Sequence, residues 1–330
     1  MLLLAALSLL SMWLWTPDLP RAELEARYLA APDDMRSVGP WRLHVRDSGP
    51  RDAPAVVLLH GFGSSLQTWD DWAEATRKVA KATQTKAPMV WDRSGHRFAG
   101  PAISYGAKLF DAKGNLQLDA GYKTAVKKFI DWNKDGTMLR EVWVSSGGSS
   151  YADGGGEFVN GNAVMMLSGS WQITRLQRDV GDKFDWVAVP NPCGTTACTG
   201  IPGGAAWVAL KTSKSPKEVG AFLDFMASEP VYREFTARTF NIPAHAGIAK
   251  KGVDYAGAQP GQRAALNVFS AGVANLAPQA YKFQGYKYNR AIMLPTVARV
   301  TQVIVGEMGA DEAIGKINAD MQDALKQAQK

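Results

Sequence analysis

The chain has little cysteine, little histidine and no dense run of basic residues. Two Cys in 330 residues exclude a disulfide-rich scaffold and a four-cysteine zinc site. Cys193 and Cys198 enclose the loop CGTTAC, a spacing that excludes a CxxC redox motif. No His lies near them to complete a metal site. The pair therefore reads as a small disulfide in an oxidising compartment, or as two free buried thiols. The 37 Lys+Arg against 31 Asp+Glu leave a formal charge of +6, so no nucleic-acid partner is expected. No metal and no cofactor are expected either.

Long hydrophobic runs are also missing. The longest, MLLLAALSLLSMWLW at residues 1–15, falls short of the about 20 residues of a spanning helix. It lacks the positive n-region and AxA-type cleavage site of a secretory signal. It reads as an uncleaved membrane anchor or imperfect export signal, or else as a buried N-terminal helix. The bulk composition, 46% hydrophobic and 21% charged, is that of a globular protein with ample core. The length allows one large domain or two of ordinary size.

Lysine is absent from one part of the chain only. Residues 1–68 hold six Arg and no Lys, whereas residues 69–330 hold 11 Arg and 20 Lys. At the second part's ratio, six Arg in succession would occur on the order of once in 500 draws. No Asn precedes Asn115. Such a break suits segments of different origin.

In the first segment, residues 42–47 alternate apolar and polar and read as a half-buried strand. Residues 55–59 form a Val-rich run fit for a strand buried on both faces. It leads into His60-Gly61-Phe62-Gly63. With TPDLPRAELEARY (residues 16–28) and AVVLLHGFGSSLQTW (residues 55–69), the segment resembles the start of an α/β-hydrolase. The resemblance implies a loop whose backbone N–H groups build an oxyanion hole. A nucleophile elbow, GxSxG, is missing from the whole chain. The nearest strings surround Ser149 and Ser170, and neither fits. The four glycine-loop residues therefore read as a vestige and the chain is expected not to be an enzyme. An esterase dependent on His60 or Ser149, or a non-functional fusion, is the alternative.

The remaining chain alternates helices and strands, so α/β is the expected class. Tyr122, Ala125, Val126, Phe129 and Ile130 follow helical spacing, with Asp119 as N-cap and Gly136 past the end. Val219, Phe222, Leu223 and Met226 repeat the pattern after Pro216. Ile314, Ile317, Met321 and Leu325 do so after a cap near Asp311. Residues 163–167, 186–189 and 205–210 read as strands. The strings TWDDWAEATRKVAKAT, GAKLFDAKGNLQLDAGYKTAVKKFIDWNKDG, EFVNGNAVMMLSGSW, VAVPNPCG, GIPGGAAWVALKTSKSPKEVGAFLDFMAS and NIPAHAGI carry a second resemblance. In that order and spacing, over about 260 residues, they resemble the extracellular solute-binding proteins of bacterial sugar-type ABC transporters.

This resemblance implies a periplasmic-binding-protein-like, two-lobe architecture. It also implies a sugar ligand, a permease partner in the inner membrane, and a periplasmic or membrane-anchored location facing the periplasm. A sugar presents an apolar C–H face and a rim of hydroxyls, which an aromatic plane and polar groups receive in a cleft. Trp171 stands where the family places a stacking aromatic; its alternative is a core side chain. Gly203 and Gly204 fit the family's glycine loop, or a plain turn. Tyr151 and Asp153 sit in a polar Gly-rich loop. Asp92, Arg93 and His96 either line the cleft mouth or belong to a solvated basic loop, and Trp207 reads as core. The expected organisation is a leader at 1–15, a hydrolase-like segment at 16–68, and a solute-binding region at 69–330. Within the latter, a second lobe spans about 87–202, and 203–330 returns to the first lobe and the C-terminal helices. The seam falls between 68 and 101, with Thr68 to Trp72 preferred. The chain then reads as a chimera whose first lobe is incomplete or substituted, and whose strand edges near 203–243 have lost partners.

Overall fold

The structure, a computed structural model, describes residues 35–38, 41–44, 68–145, 147–148 and 150–328. The leader at 1–15 and the loop His60, Gly61, Phe62 and Gly63 lie outside the described residues, as does Ser149. The chain divides into two units, Met1–Ala55 and Val56–Lys330.

In the first unit, β1 (Met35–Val38) and β2 (Trp41–His44) pair antiparallel, with Met35 opposite His44 and Val38 opposite Trp41. The strand expected at 42–47 is thus present from Trp41 to His44.

The first described element of the second unit is α1 (Thr68–Thr83), which leads into β3 (Ala87–Trp91). A 3-10 turn (Gly95–Phe98) and α2 (Ala99–Ser104) follow. Next come α3 (Ala120–Lys134), α4 (Glu141–Val144), α5 (Gly155–Val159), β4 (Ala163–Leu167) and α6 (Gln172–Asp179). The later part is helical: α7 (Pro216–Ala227), α8 (Glu229–Thr239), α9 (Ala246–Lys251), α10 (Pro260–Gly272), α11 (Pro278–Gly285), α12 (Arg290–Ile304) and α13 (Ala310–Ala328).

β3 and β4 are parallel, with Ala87 opposite Ala163 and Trp91 opposite Leu167. All five residues of β3 are buried, as an apolar run covered on both faces requires. Met89 also bridges to Met138. The α3 helix forms as its spacing predicts. Asp119 accepts from the Tyr122 N–H at 3.1 Å, and Gly136 past the end takes φ +80°. Its apolar stripe from Tyr122 to Ile130 is buried. There Phe129 meets Trp143 at 4.5 Å and Trp91 at 5.1 Å between ring centroids. Each such side chain, fully buried, contributes roughly 1.5–3 kcal/mol. The α12–α13 pair adds Ile292, Val297, Val300, Ile317 and Met321 to the same core. Tyr122 and Thr296 share a hydrogen bond of 3.0 Å inside it, and burial pushes the Tyr122 phenol above its ordinary pKa.

Two expected strands do not form. Residues 186–189 are irregular, and Trp186 and Ala188 pack on small apolar clusters around Ile173 and Leu176 instead. Residues 205–210 are exposed, and no described residue pairs with the backbone of 205–209. A strand that is apolar on both faces needs neighbours, and the described residues supply none. Trp207, expected in a core, is 60% exposed and touches Phe222 and Phe235 edge-on. The α7 helix forms with Pro216 at its first position, yet buries no residue, and Phe225 is 59% exposed. Its amphipathic face lacks a layer to cover it.

Candidate functional site

Parallel strands place their following loops on one side, and ligands of α/β proteins bind there. The register that sets Trp91 beside Leu167 brings Asp92 beside Ser168. Asp92 is fully buried, and its Oδ2 accepts from the Ser168 hydroxyl at 2.7 Å. Arg97, on the 3-10 turn, reaches back to the same oxygen with Nη2 at 2.7 Å and Nε at 3.1 Å. Oδ1 accepts from the Gly154 N–H at 3.0 Å. A buried carboxylate is thus neutralised and held by four hydrogen bonds, as its burial demands.

Two rings stand above this floor. Trp171, just past β4, is 53% exposed, and the Arg97 guanidinium lies over it at 4.8 Å from the ring centroid. Tyr151 is 54% exposed. Burial of its hydroxyl, with the charges of Asp92 and Asp153 nearby, pushes the phenol up to about 12. Asp153 accepts from the Gly155 N–H at 2.9 Å and from Arg175 at 3.0 Å, and so fixes the start of α5 against α6.

Beside the rings lies a cavity of about 290 Å³ between the 93–96 turn and α12. Arg93, His96, Tyr151, Arg290, Met293 and Leu294 are among its lining residues. His96 Nε2 is within 2.9 Å of Gln284 Oε1 and 3.2 Å of the Pro202 carbonyl. Gly203 follows Pro202 and lies close to the His96 ring. Burial and the Arg97 charge hold the His96 pKa below its ordinary 6.5.

The sequence candidates separate accordingly. Tyr151 and Arg93 meet at the cavity, and Gly203 lies close to the His96 ring that lines it, whereas Trp171 and Asp153 are not among its lining residues: Trp171 stacks with Arg97 and Asp153 bonds Arg175. Gly204 is exposed and is not among the cavity's lining residues. Arg93 has a different role from a cleft-mouth donor. It is fully buried, and its guanidinium donates to the carbonyls of Trp143, Ser150 and Gly148 and to Thr301. Its donors are engaged inside the protein, where they tie the Gly-rich loop down. The solvated-loop alternative fails as well, because Asp92, Arg93 and Arg97 are all buried. Sequence reasoning missed Arg97, Ser168 and the α12 residues. Nothing local marks them, since their roles arise from strand register and helix docking. Cys193 and Cys198 are joined in a disulfide. Among the described residues, no group of three His, Cys, Asp or Glu is placed to hold a metal.

Half-exposed rings over a neutral polar floor, at the carboxyl ends of parallel strands, form a surface chemically suited to contact with a small polar solute. The fold and this site define a solute-binding protein. The chain matches the family of bacterial extracellular solute-binding proteins over residues 59–232, more than half its length, and belongs to that family. Its members bind solutes and are not enzymes, in line with the absence of a nucleophile elbow. No curated protein matches in sequence. Among solved structures, it is similar to the GacH receptor of Streptomyces glaucescens, at 17% identity and TM-score 0.60 over 80% of this chain and 65% of that one. The sugar-binding protein MalE of Xanthomonas citri matches at 17% and 0.60 over 82% and 66%. The cyclic alpha-maltosyl-1,6-maltose binding protein of Arthrobacter globiformis matches at 17% and 0.60 over 80% and 66%. The chain therefore has the α/β fold of these binding proteins while spanning only about two thirds of their length. The described part is rich in helix and keeps only a partial sheet.

Proposed function

We propose that this chain is the carbohydrate-binding component of an ABC transporter, held periplasmic or anchored facing the periplasm, with a permease as partner. The observation that carries the reading is Trp171, half exposed just past the end of β4 and stacked with Arg97 of the Asp92–Arg97 floor. An indole plane takes the C–H face of a pyranose, and the neighbouring polar groups take its hydroxyls. The GacH receptor was solved with acarbose and a cyclo/maltodextrin-binding protein with maltotetraose, which favours a sugar as the ligand class. Binding shifts a population of conformations, with no bond made or broken.

The binding is impaired relative to a whole family member. The exposed apolar segment 205–210 and the uncovered α7 support a first lobe that is incomplete or substituted. The hydrolase-like, Lys-free N-terminal segment belongs to a different origin in this reading; the chain divides at Ala55 and Val56, ahead of the seam expected between 68 and 101. The test is a thermal-shift screen of the full chain against mono- and disaccharides, maltose included. A ligand at a hundredfold excess over Kd adds about 2.7 kcal/mol of stability. A midpoint raised by one sugar, and no longer raised in Trp171→Ala, is expected. Absence of any shift across the panel refutes sugar binding, and submicromolar affinity refutes the impairment.

A further inference from the structure

We infer that Arg97 is a positioning residue which, with Asp92 and Gly169, presets the Trp171 indole as a one-faced stacking platform for an uncharged ligand. This inference rests on reading the site as a ligand site, although its first test needs no ligand. A half-exposed indole gains by folding down onto apolar neighbours, so a ring that stands open must be held. Two features hold it. The guanidinium of Arg97, only 7% exposed, lies over one ring face at 4.8 Å from the centroid. Gly169 lies against the same ring so closely that a Cβ there would fall 2.0 Å from Cζ3 and 2.3 Å from Cη2. Only a glycine permits that approach.

Arg97 is itself fixed. Its fork bonds Asp92 twice, and Asp92 is pinned by Ser168 and the Gly154 N–H. A buried ion pair of this kind costs desolvation and is weak support for stability by itself. Its return is orientation, because Nε and Nη2 both converge on the one oxygen, Asp92 Oδ2, and hold the guanidinium from two points. The pair is neutral overall, so the platform offers no net charge to an ionic ligand. Trp171 is 53% exposed, and its open indole surface is suited to the C–H face of an uncharged polyol.

The test uses the full chain with ¹⁵N-labelled indoles. The Trp171 Nε1–H resonance is assigned as the one lost in Trp171→Phe. It is expected to shift in Arg97→Met and in Gly169→Ala, and to stay in Arg178→Met, whose exposed arginine bonds only its neighbour Asp179. Asp92→Asn combined with Arg97→Met removes the orphan carboxylate and serves if the single variant fails to fold. Maltose affinity, read by calorimetry, is expected to fall about tenfold in Arg97→Met, and to recover in part in Arg97→Lys, which keeps the charge but not the fork. An unmoved Trp171 resonance in a folded Arg97→Met or double variant overturns the inference, as does a shifted resonance with unchanged maltose affinity. A shifted resonance in a chain that binds no sugar supports the platform and refutes the carbohydrate reading instead.

Discussion

Arg93→Met isolates the contribution of the buried clamp to the order of the candidate site. Arg93 is fully buried, and among the described residues no carboxylate pairs with it. It donates to Trp143 O at 3.1 Å, to Thr301 Oγ1 at 3.2 Å, and to the carbonyls of Gly148 and Ser150. Met keeps most of the apolar stem and removes every donor. The carbonyl of Trp143, a fully buried residue, loses this partner. A buried acceptor left unsatisfied costs about 1–3 kcal/mol. Gly148 and Ser150 are exposed, so water replaces the clamp at their carbonyls and their share is small. Removing an uncompensated buried charge offsets part of the loss, and burial already holds the Arg93 pKa below its ordinary value. The net expectation is a destabilisation of about 1–3 kcal/mol, read from the urea midpoint at constant slope. The local effect is greater. The backbone pair between Arg93 and Ala152 survives, but the loop before it loses its tether. Amide exchange in a peptide covering 145–154 accelerates by more than the global loss explains, and Tyr151 loses its set position. A folded Arg93→Met variant whose 145–154 peptide exchanges at the wild-type rate refutes the clamp.

Two further predictions follow from the same geometry. The neutral His96 is favoured in the folded chain by burial and by Arg97, so the unfolded chain takes up the proton first as pH falls. Its contribution is complete above the ordinary pKa of 6.5 and is lost as pH drops below it towards the folded value; the thermal midpoint therefore declines there. In His96→Gln, which keeps a donor for Pro202, that part of the profile flattens, and an unchanged slope counts against this source. On the uncovered face, Trp207→Ser with Phe225→Ser lowers self-association seen by light scattering while moving stability by less than about 0.5 kcal/mol, as for exposed sites. Equal scattering from the double variant excludes this face as the adhesive surface.

Local rules made much of the chain legible. Helical spacing with a side-chain cap and a glycine past the end located α3, and helical spacing alone located α13 with Ile314, Ile317, Met321 and Leu325 buried; that helix begins at Ala310, so Asp311, expected near the cap, lies inside its first turn. The apolar run 163–167 became β4 at those limits. These features depend on neighbours within four residues, which a sequence displays directly. Membership of the solute-binding family was legible in the order of its strings.

Spacing could not say what would cover each face. The pattern of Val219, Phe222, Leu223 and Met226 is as regular as that of α3, yet α7 buries no residue because the described residues offer it no sheet. The same lack leaves 205–210 without a ladder, since a strand exists only by pairing with another. Arg93 and Arg97 are four residues apart in one turn, and sequence alone gives them the same chemistry. Tertiary structure separated them: docking against Trp143 and Thr301 made one a clamp for a loop, and the β3–β4 register put Asp92 where the other could pair and lie over Trp171. Composition and local periodicity determined which segments could form and which family they belong to. Only the long-range packing decided which charges are buried, which rings stay open, and therefore where a solute can be held.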